Sequence, residues 1–156
     1  GVASIRREQP ELRFEPLFND ALGIVCRVDD ALAQRRGPIS WDMLKERTLL
    51  GNGITGLIGS LEFADLVSKA PITVYNVLSL LALVRARVGI TILPRLSLPA
   101  SERDLCFLAL KDPLARRQVG LVSRTSEIAS PAMQAFVREL RRTVELVAEE
   151  LDVEAI

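Results

Sequence analysis

The sequence predicts an α/β protein built as two lobes. Three observations carry this. Short apolar, β-branched segments (21–28, 71–75, 90–93) alternate with segments of helical spacing (57–69, 77–87, 131–150). The 156 residues match one domain or two small lobes. Two proline-marked passages, Glu15-Pro16 and 94–99, are candidate crossings between lobes, with one compact lobe between them and the two chain ends meeting in the other. Hydrophobic residues at 49% and charged residues at 26% are an ordinary globular mix, which excludes a disordered or fibrous chain.

The elements follow in order. Residues 1–5 open directly as a strand, as if the chain began inside a larger domain, and Gln9-Pro10 breaks it. Leu12, Phe14, Leu17 and Phe18 lead into a strand over 21–28. There Leu22, Ile24, Cys26 and Val28 share one face, and Gly23, Val25 and Arg27 the other. Both faces are largely apolar, so this strand is expected to be covered on two sides. Residues 29–38 form a loop, and Ser40 is the expected N-cap of a short helix from Trp41 to Leu44.

Thr48-Leu49-Leu50 is a brief strand, followed by a glycine-rich loop over 51–56. The helix over 57–69 is expected to bury Leu57, Leu61, Ala64 and either Leu66 or Val67. Asn76 should cap the helix 77–87, with a left-handed cap at Gly89. Strands are expected at 90–93, 105–110 and 118–122. Ser130-Pro131 opens the last helix, whose stripe is Leu140, Val144, Leu146 or Val147, and Leu151.

Composition excludes several functions. The 20 basic and 20 acidic residues leave no net charge, so the chain has no global field for gripping a nucleic-acid backbone. There is no histidine, which removes every histidine-dependent triad or zinc site. No acidic pair is placed for glycosidase- or protease-type chemistry. No catalytic residue, metal site or cofactor is expected. Cys26 and Cys106 lie in apolar strand-like runs and read as reduced, buried thiols of a cytoplasmic protein; a redox pair is the alternative and would need an exposed, electropositive cysteine. Residues 1–8 lack the apolar core of a signal peptide, and the longest apolar stretch, 77–84, is too short to span a membrane.

The loop Gly51-Asn52-Gly53-Ile54-Thr55-Gly56 is the most chemical feature. Backbone N–H groups between a strand and a helix start suit a carboxylate or other small anion. The alternative is a plain strand-to-helix turn. The loop lacks the lysine and hydroxyl end of a P-loop. Arg85 and Arg87 suit salt bridges near a helix C-terminus, and Arg116-Arg117 and Arg141-Arg142 read as solvated faces. The helix 77–87 is apolar on more than one side: Val77, Leu78, Leu80, Leu81, Leu83 and Val84 exceed what one sheet face covers. A second copy is the expected cover; a helix sandwiched within one chain is the alternative.

Several runs together resemble LysR-type transcriptional regulators. Phe14-Glu15-Pro16-Leu17-Phe18, the strand 22–26 and Asp30-Ala31-Leu32-Ala33 are similar to a strand and an Asp-His-Pro-Leu-Ala-like run of that family. Gly89-Ile90-Thr91-Ile92-Leu93-Pro94 resembles its Gly-Ile-x-x-Leu-Pro motif, and 130–136 the start of its last helix. Arg87 stands where the family often has a glycine, and is expected to alter the charge near the lobe interface.

The resemblance implies a non-catalytic effector-binding domain, two-lobed like type 2 periplasmic binding proteins. Residues 19–99 would be lobe two, complete, and 1–18 with 100–156 a partial lobe one. A periplasmic-type solute-binding protein for a small anion is the alternative. By position, the effector cleft would use Ser4, Gly53, Ile54, Thr55, Leu57 and Ile58. Val77, Leu80, Leu81 and Val84 would lie at the contact of a homo-oligomer. The partners implied are a small anionic effector, a second copy, and DNA only through a helix-turn-helix outside this chain.

Overall fold

The computed structural model describes residues 1–4, 10–54, 60–99, 101–112, 115–126, 129–151 and 153–156. The chain forms two compact units, Ala21–Arg116 and Gly1–Asp20 with Arg117–Ile156.

Strand β2 (Leu12–Arg27) runs through 16 residues without a break. Its second half is the centre of the Ala21–Arg116 unit. There β6 (Leu105–Ala109) and β5 (Ile90–Pro94) both pair with it antiparallel, with Cys26 opposite Cys106 and Ile24 opposite Ile92. β3 (Leu49–Gly51) pairs parallel to β5, and β4 (Ile72–Thr73) parallel to β3. The order is therefore β6-β2-β5-β3-β4. The passage 94–99 continues β5 into a 3-10 turn, Arg95–Ser97, inside this unit, and the chain leaves the unit after Arg116.

Alternation along the strands divides the core in two. Leu22, Ile24, Cys26, Leu49, Ile90 and Ile92 face one side, where Trp41, Leu44, Phe63 and Leu66 cover them. Val25, Leu50, Leu93 and Leu105 face the other, under Leu80, Leu81 and Val84. A strand buried on both faces needs a layer on each, as the two-sided apolar pattern of 22–26 requires.

The helices supply those layers. α1 (Leu61–Ser68) is capped by Ser60, whose Oγ accepts from the Phe63 N–H. It buries Phe63 and Leu66, whereas Leu61 and Ala64 point to solvent, so the expected stripe through those two is corrected. Leu57 lies outside the described residues. The capped start at Ser60 rotates the apolar face onto positions 63, 66 and 67. α2 (Val77–Arg85) is capped as expected, the Asn76 Oδ1 accepting from the Ser79 N–H. The predicted helix at Trp41–Leu44 is a single 3-10 turn, and Ser40 makes no side-chain cap.

The left-handed residue after α2 is Arg87, with φ 63°, and not Gly89. The helix ends two residues earlier than expected, so its reversal falls on Arg87, at a position where a glycine would be unstrained. Gly89 has a different reason to be glycine: a Cβ there would lie 2.4 Å from the Thr48 carbonyl oxygen. This close approach lets the Ile90 N–H reach the same oxygen at 3.0 Å and start the β3–β5 pairing.

In the other unit β7 (Arg116–Arg124) lies between β1 (Val2–Ala3) and the first half of β2, and β8 (Glu154–Ala155) pairs with β2 at Phe18 and Asn19. α3 (Pro131–Leu151) is opened by Ser130, whose Oγ accepts from the Met133 N–H. Its half-buried stripe is Met133, Val137, Leu140, Val144 and Val147, and Leu146 is exposed. Asp20 is fully buried and accepts from Nε and Nη2 of Arg117 at 3.1 and 2.8 Å. Arg141 pairs with Glu15. The expectation of a solvated face is corrected for Arg117, which lies against a buried carboxylate on β2; Arg141 is exposed, as expected.

Gly89→Ala is expected to destabilise the protein by about 1–3 kcal/mol, because the added carbon meets backbone that cannot rotate away. Urea unfolding followed by circular dichroism measures this. An unchanged midpoint would contradict the close approach.

Candidate functional site

The loop after β3 is held from below by Asn52. This side chain is buried, and its amide donates to Thr91 Oγ1 at 3.1 Å and to the Ile92 carbonyl at 2.8 Å. Its Oδ1 accepts from the Ile54 N–H at 2.9 Å, closing an Asx-type turn. Thr91, itself fully buried, donates onward to the Leu50 carbonyl. The turn is thus bolted to β3 and β5 through polar groups that burial makes costly to leave unpaired. Asn52 is the residue that sequence reading missed as a determinant of the site. An asparagine between two glycines is the usual signature of such a turn and was the available signal.

Of the residues expected to line the cleft, Gly53 and Ile54 stand together on this turn. Gly53 is exposed and faces the Tyr75 ring; Ile54 is half-buried between the two core clusters. Because the Ile54 N–H is already given to Asn52, it is not offered to a ligand. Thr55, Leu57 and Ile58 lie outside the described residues. Ser4 belongs to the other unit, where its Oγ is buried with no hydrogen-bond partner among the described residues.

The four residues expected at a chain–chain contact fall on different sides of α2. Leu80, Leu81 and Val84 are 0%, 4% and 1% exposed and pack on their own sheet. Val77 and its neighbour Leu78 are 38% and 76% exposed, with Tyr75 exposed beside the helix start.

Sequence reading also missed a surface cavity of about 420 Å³ bordered by Ser40, Trp41, Ser60, Glu62, Lys111 and Asp112. The Trp41 indole donates to Asp112 at 2.9 Å and its ring lies 5.1 Å from that of Phe63. At the end of β2, Asp29 receives Arg27 in a two-pronged contact and Arg87 as well. Arg85 pairs with Glu102. The hydrogen bonds from Arg27, seconded by Arg87, hold the Asp29 carboxyl down to about 2. Among the described residues no three histidine, cysteine or acidic side chains are placed to hold a metal ion, and no helix is long and apolar enough to cross a membrane.

This mixed sheet, layered by helices in one unit and continued by β2 into a second, defines an effector-domain fold of the periplasmic-binding-protein type. Residues 1–145 match the LysR substrate binding domain family, and the chain belongs to it. A relative, the uncharacterized HTH-type transcriptional regulator YbhD of Escherichia coli (strain K12), is 30% identical over 129 residues. The match covers 79% of this chain and 40% of the relative, so the chain spans less than half of that protein's length. Among solved structures, the effector binding domain of QuiR in complex with shikimate has a TM-score of 0.73 at 25% identity, covering 91% of this chain and 69% of that one. The Synechocystis PCC6803 CcmR regulatory domain, in complex with 2-PG, has a TM-score of 0.72 at 17% identity, covering 91% and 71%.

The Asp29 cluster makes a pH prediction. A carboxyl depressed in the folded state contributes stability that is complete above its unfolded value, about 3.9, and is lost as pH falls toward about 2. A carbon-detected NMR titration should therefore place the Asp29 midpoint near 2, and Arg27→Gln should move it up toward the ordinary aspartate range. An unmoved midpoint would show that Arg27 is not its cause.

Proposed function

We propose that this chain is the effector-binding and oligomerisation module of a LysR-type transcriptional regulator, without catalytic activity and acting in the cytoplasm. The observation that carries this reading is the family match over 1–145 combined with a turn, 52–54, that Asn52 fixes rigidly beside an exposed glycine. A rigid, small-residue turn at the carboxyl end of a strand is where open α/β sheets receive ligands. The absence of histidine supports a binding role over a catalytic one. DNA would be bound by a helix-turn-helix outside this chain.

The effector in this reading is a small anion that approaches Gly53. The likeness to QuiR, whose structure holds shikimate, makes shikimate the first probe, followed by other small carboxylates. A Cβ on Gly53 would meet the Tyr75 ring at 3.5 Å, an ordinary contact, so a side chain there fills the approach without breaking the fold. Gly53→Val is expected to lower the affinity of a carboxylate bound by the native chain at least tenfold in calorimetry, with unfolding unchanged. Equal affinity in a folded variant would exclude Gly53 from the site, and failure of every carboxylate tested would overturn the anionic assignment.

For assembly, α2 offers Val77 and Leu78 to a second copy while Leu80, Leu81 and Val84 hold the helix to its own sheet. Leu78→Lys should shift light scattering in a dilution series toward the monomer mass, with circular dichroism unaltered. Leu81→Lys is unsuited to this purpose, because it would place a charge in the core. A native chain that stays monomeric at high concentration would remove the proposal.

A further inference from the structure

Cys26 and Cys106 are 80 positions apart in the sequence and meet across the β2–β6 ladder. They are directly opposed in register, and their sulfurs lie 3.7 Å apart in a thiol–thiol contact. Directly opposed residues on antiparallel strands have Cα atoms about 4.5–5.5 Å apart, inside the roughly 4.4–6.8 Å that a disulfide spans. Closing the sulfurs to about 2.05 Å then asks for side-chain rotation and no strand movement. The two thiols differ in access: Cys26 has no exposed surface, whereas Cys106 is half-buried. The Cys106 Sγ also lies 3.8 Å from the Arg27 carbonyl, which holds it at the strand end.

We propose that Cys26 and Cys106 are a paired-thiol site that closes reversibly into a cross-strand disulfide by exchange with a small disulfide oxidant, Cys106 reacting first. The Cys106 thiolate attacks one sulfur of the oxidant and forms a mixed disulfide with it, while the oxidant's other sulfur is expelled as a thiolate and takes up the proton Cys106 lost. Cys26 then gives up its proton and attacks the Cys106 sulfur, expelling the second small thiol. Two electrons pass to the oxidant, two thiol hydrogens end on the two small thiols, and one S–S bond forms between β2 and β6. Burial pushes both thiols up, so the thiolate fraction is small and the exchange is slow.

The test is incubation of the whole chain with oxidised glutathione, followed by thiol counting, intact mass and peptide mapping. Both thiols are expected to disappear together, with a mass lower by two hydrogens, no retained glutathione, and a linked pair of peptides carrying Cys26 and Cys106. Dithiothreitol should restore both. In Cys26→Ser a glutathione adduct should accumulate on Cys106, because the resolving thiol is gone; in Cys106→Ser, Cys26 should stay unmodified. Two free thiols persisting in excess oxidant, adducts persisting on the native chain, or disulfides between chains would each overturn the proposal. If either serine variant fails to fold, the native peptide map decides alone.

Discussion

The fold turns on one buried ion pair. Asp20 is the last residue of its unit before β2 enters the next, and Arg117 is the first residue after the chain returns. The two crossings therefore carry opposite charges in direct contact, one of them with no solvent exposure. A buried carboxylate is tolerable only beside its counter-charge, and removing the partner of such a pair costs about 3–5 kcal/mol. The pair thus ties β2 to the start of β7 within that unit.

Beyond Asp20, residues 22–26 of β2 alternate between two apolar faces, and each face is given its own helix. With β5 laid against β2, Thr91 and Ile92 come under the loop after β3 and become the anchors of Asn52. The rigidity of the candidate ligand turn is thus inherited from the central strands. It is a property of a polar side chain reaching down from the loop.

Much of this was legible in the sequence, and what was not has identifiable causes. The second half of β2 showed itself through its two apolar faces, β5 and β6 as short apolar runs, and α2 and α3 through Asn76 and Ser130; the first half of β2, with Glu15-Pro16 inside it, was not read as strand. The face of α1 was misjudged because Leu61 and Ala64 extend the apolar pattern around Leu66, and only the cap at Ser60 sets Phe63 inward in their place. The inward face of α2 was hidden by its excess of leucines: nothing local separates Leu78 from Leu80. Partners distant in sequence were invisible, which is why Arg117 looked solvated and why two cysteines gave no sign of facing each other. At the candidate site the glycines drew attention and the asparagine between them did not, although the asparagine does the holding. The family resemblance, by contrast, rested on ordered short motifs such as Gly89–Pro94, and the comparison of residues 1–145 establishes the family plainly.

The unbroken length of β2 also limits how this chain can vary. Adding or losing one residue within Leu12–Arg27 would exchange the two faces of everything beyond it, turning Ile24 and Cys26 toward α2 and Val25 toward α1. The exposed stretch that follows, around Arg35, Arg36 and Gly37, has no such parity to keep. Length changes among related chains should accordingly collect after this strand, so that its frame persists even where most of its side chains have been exchanged.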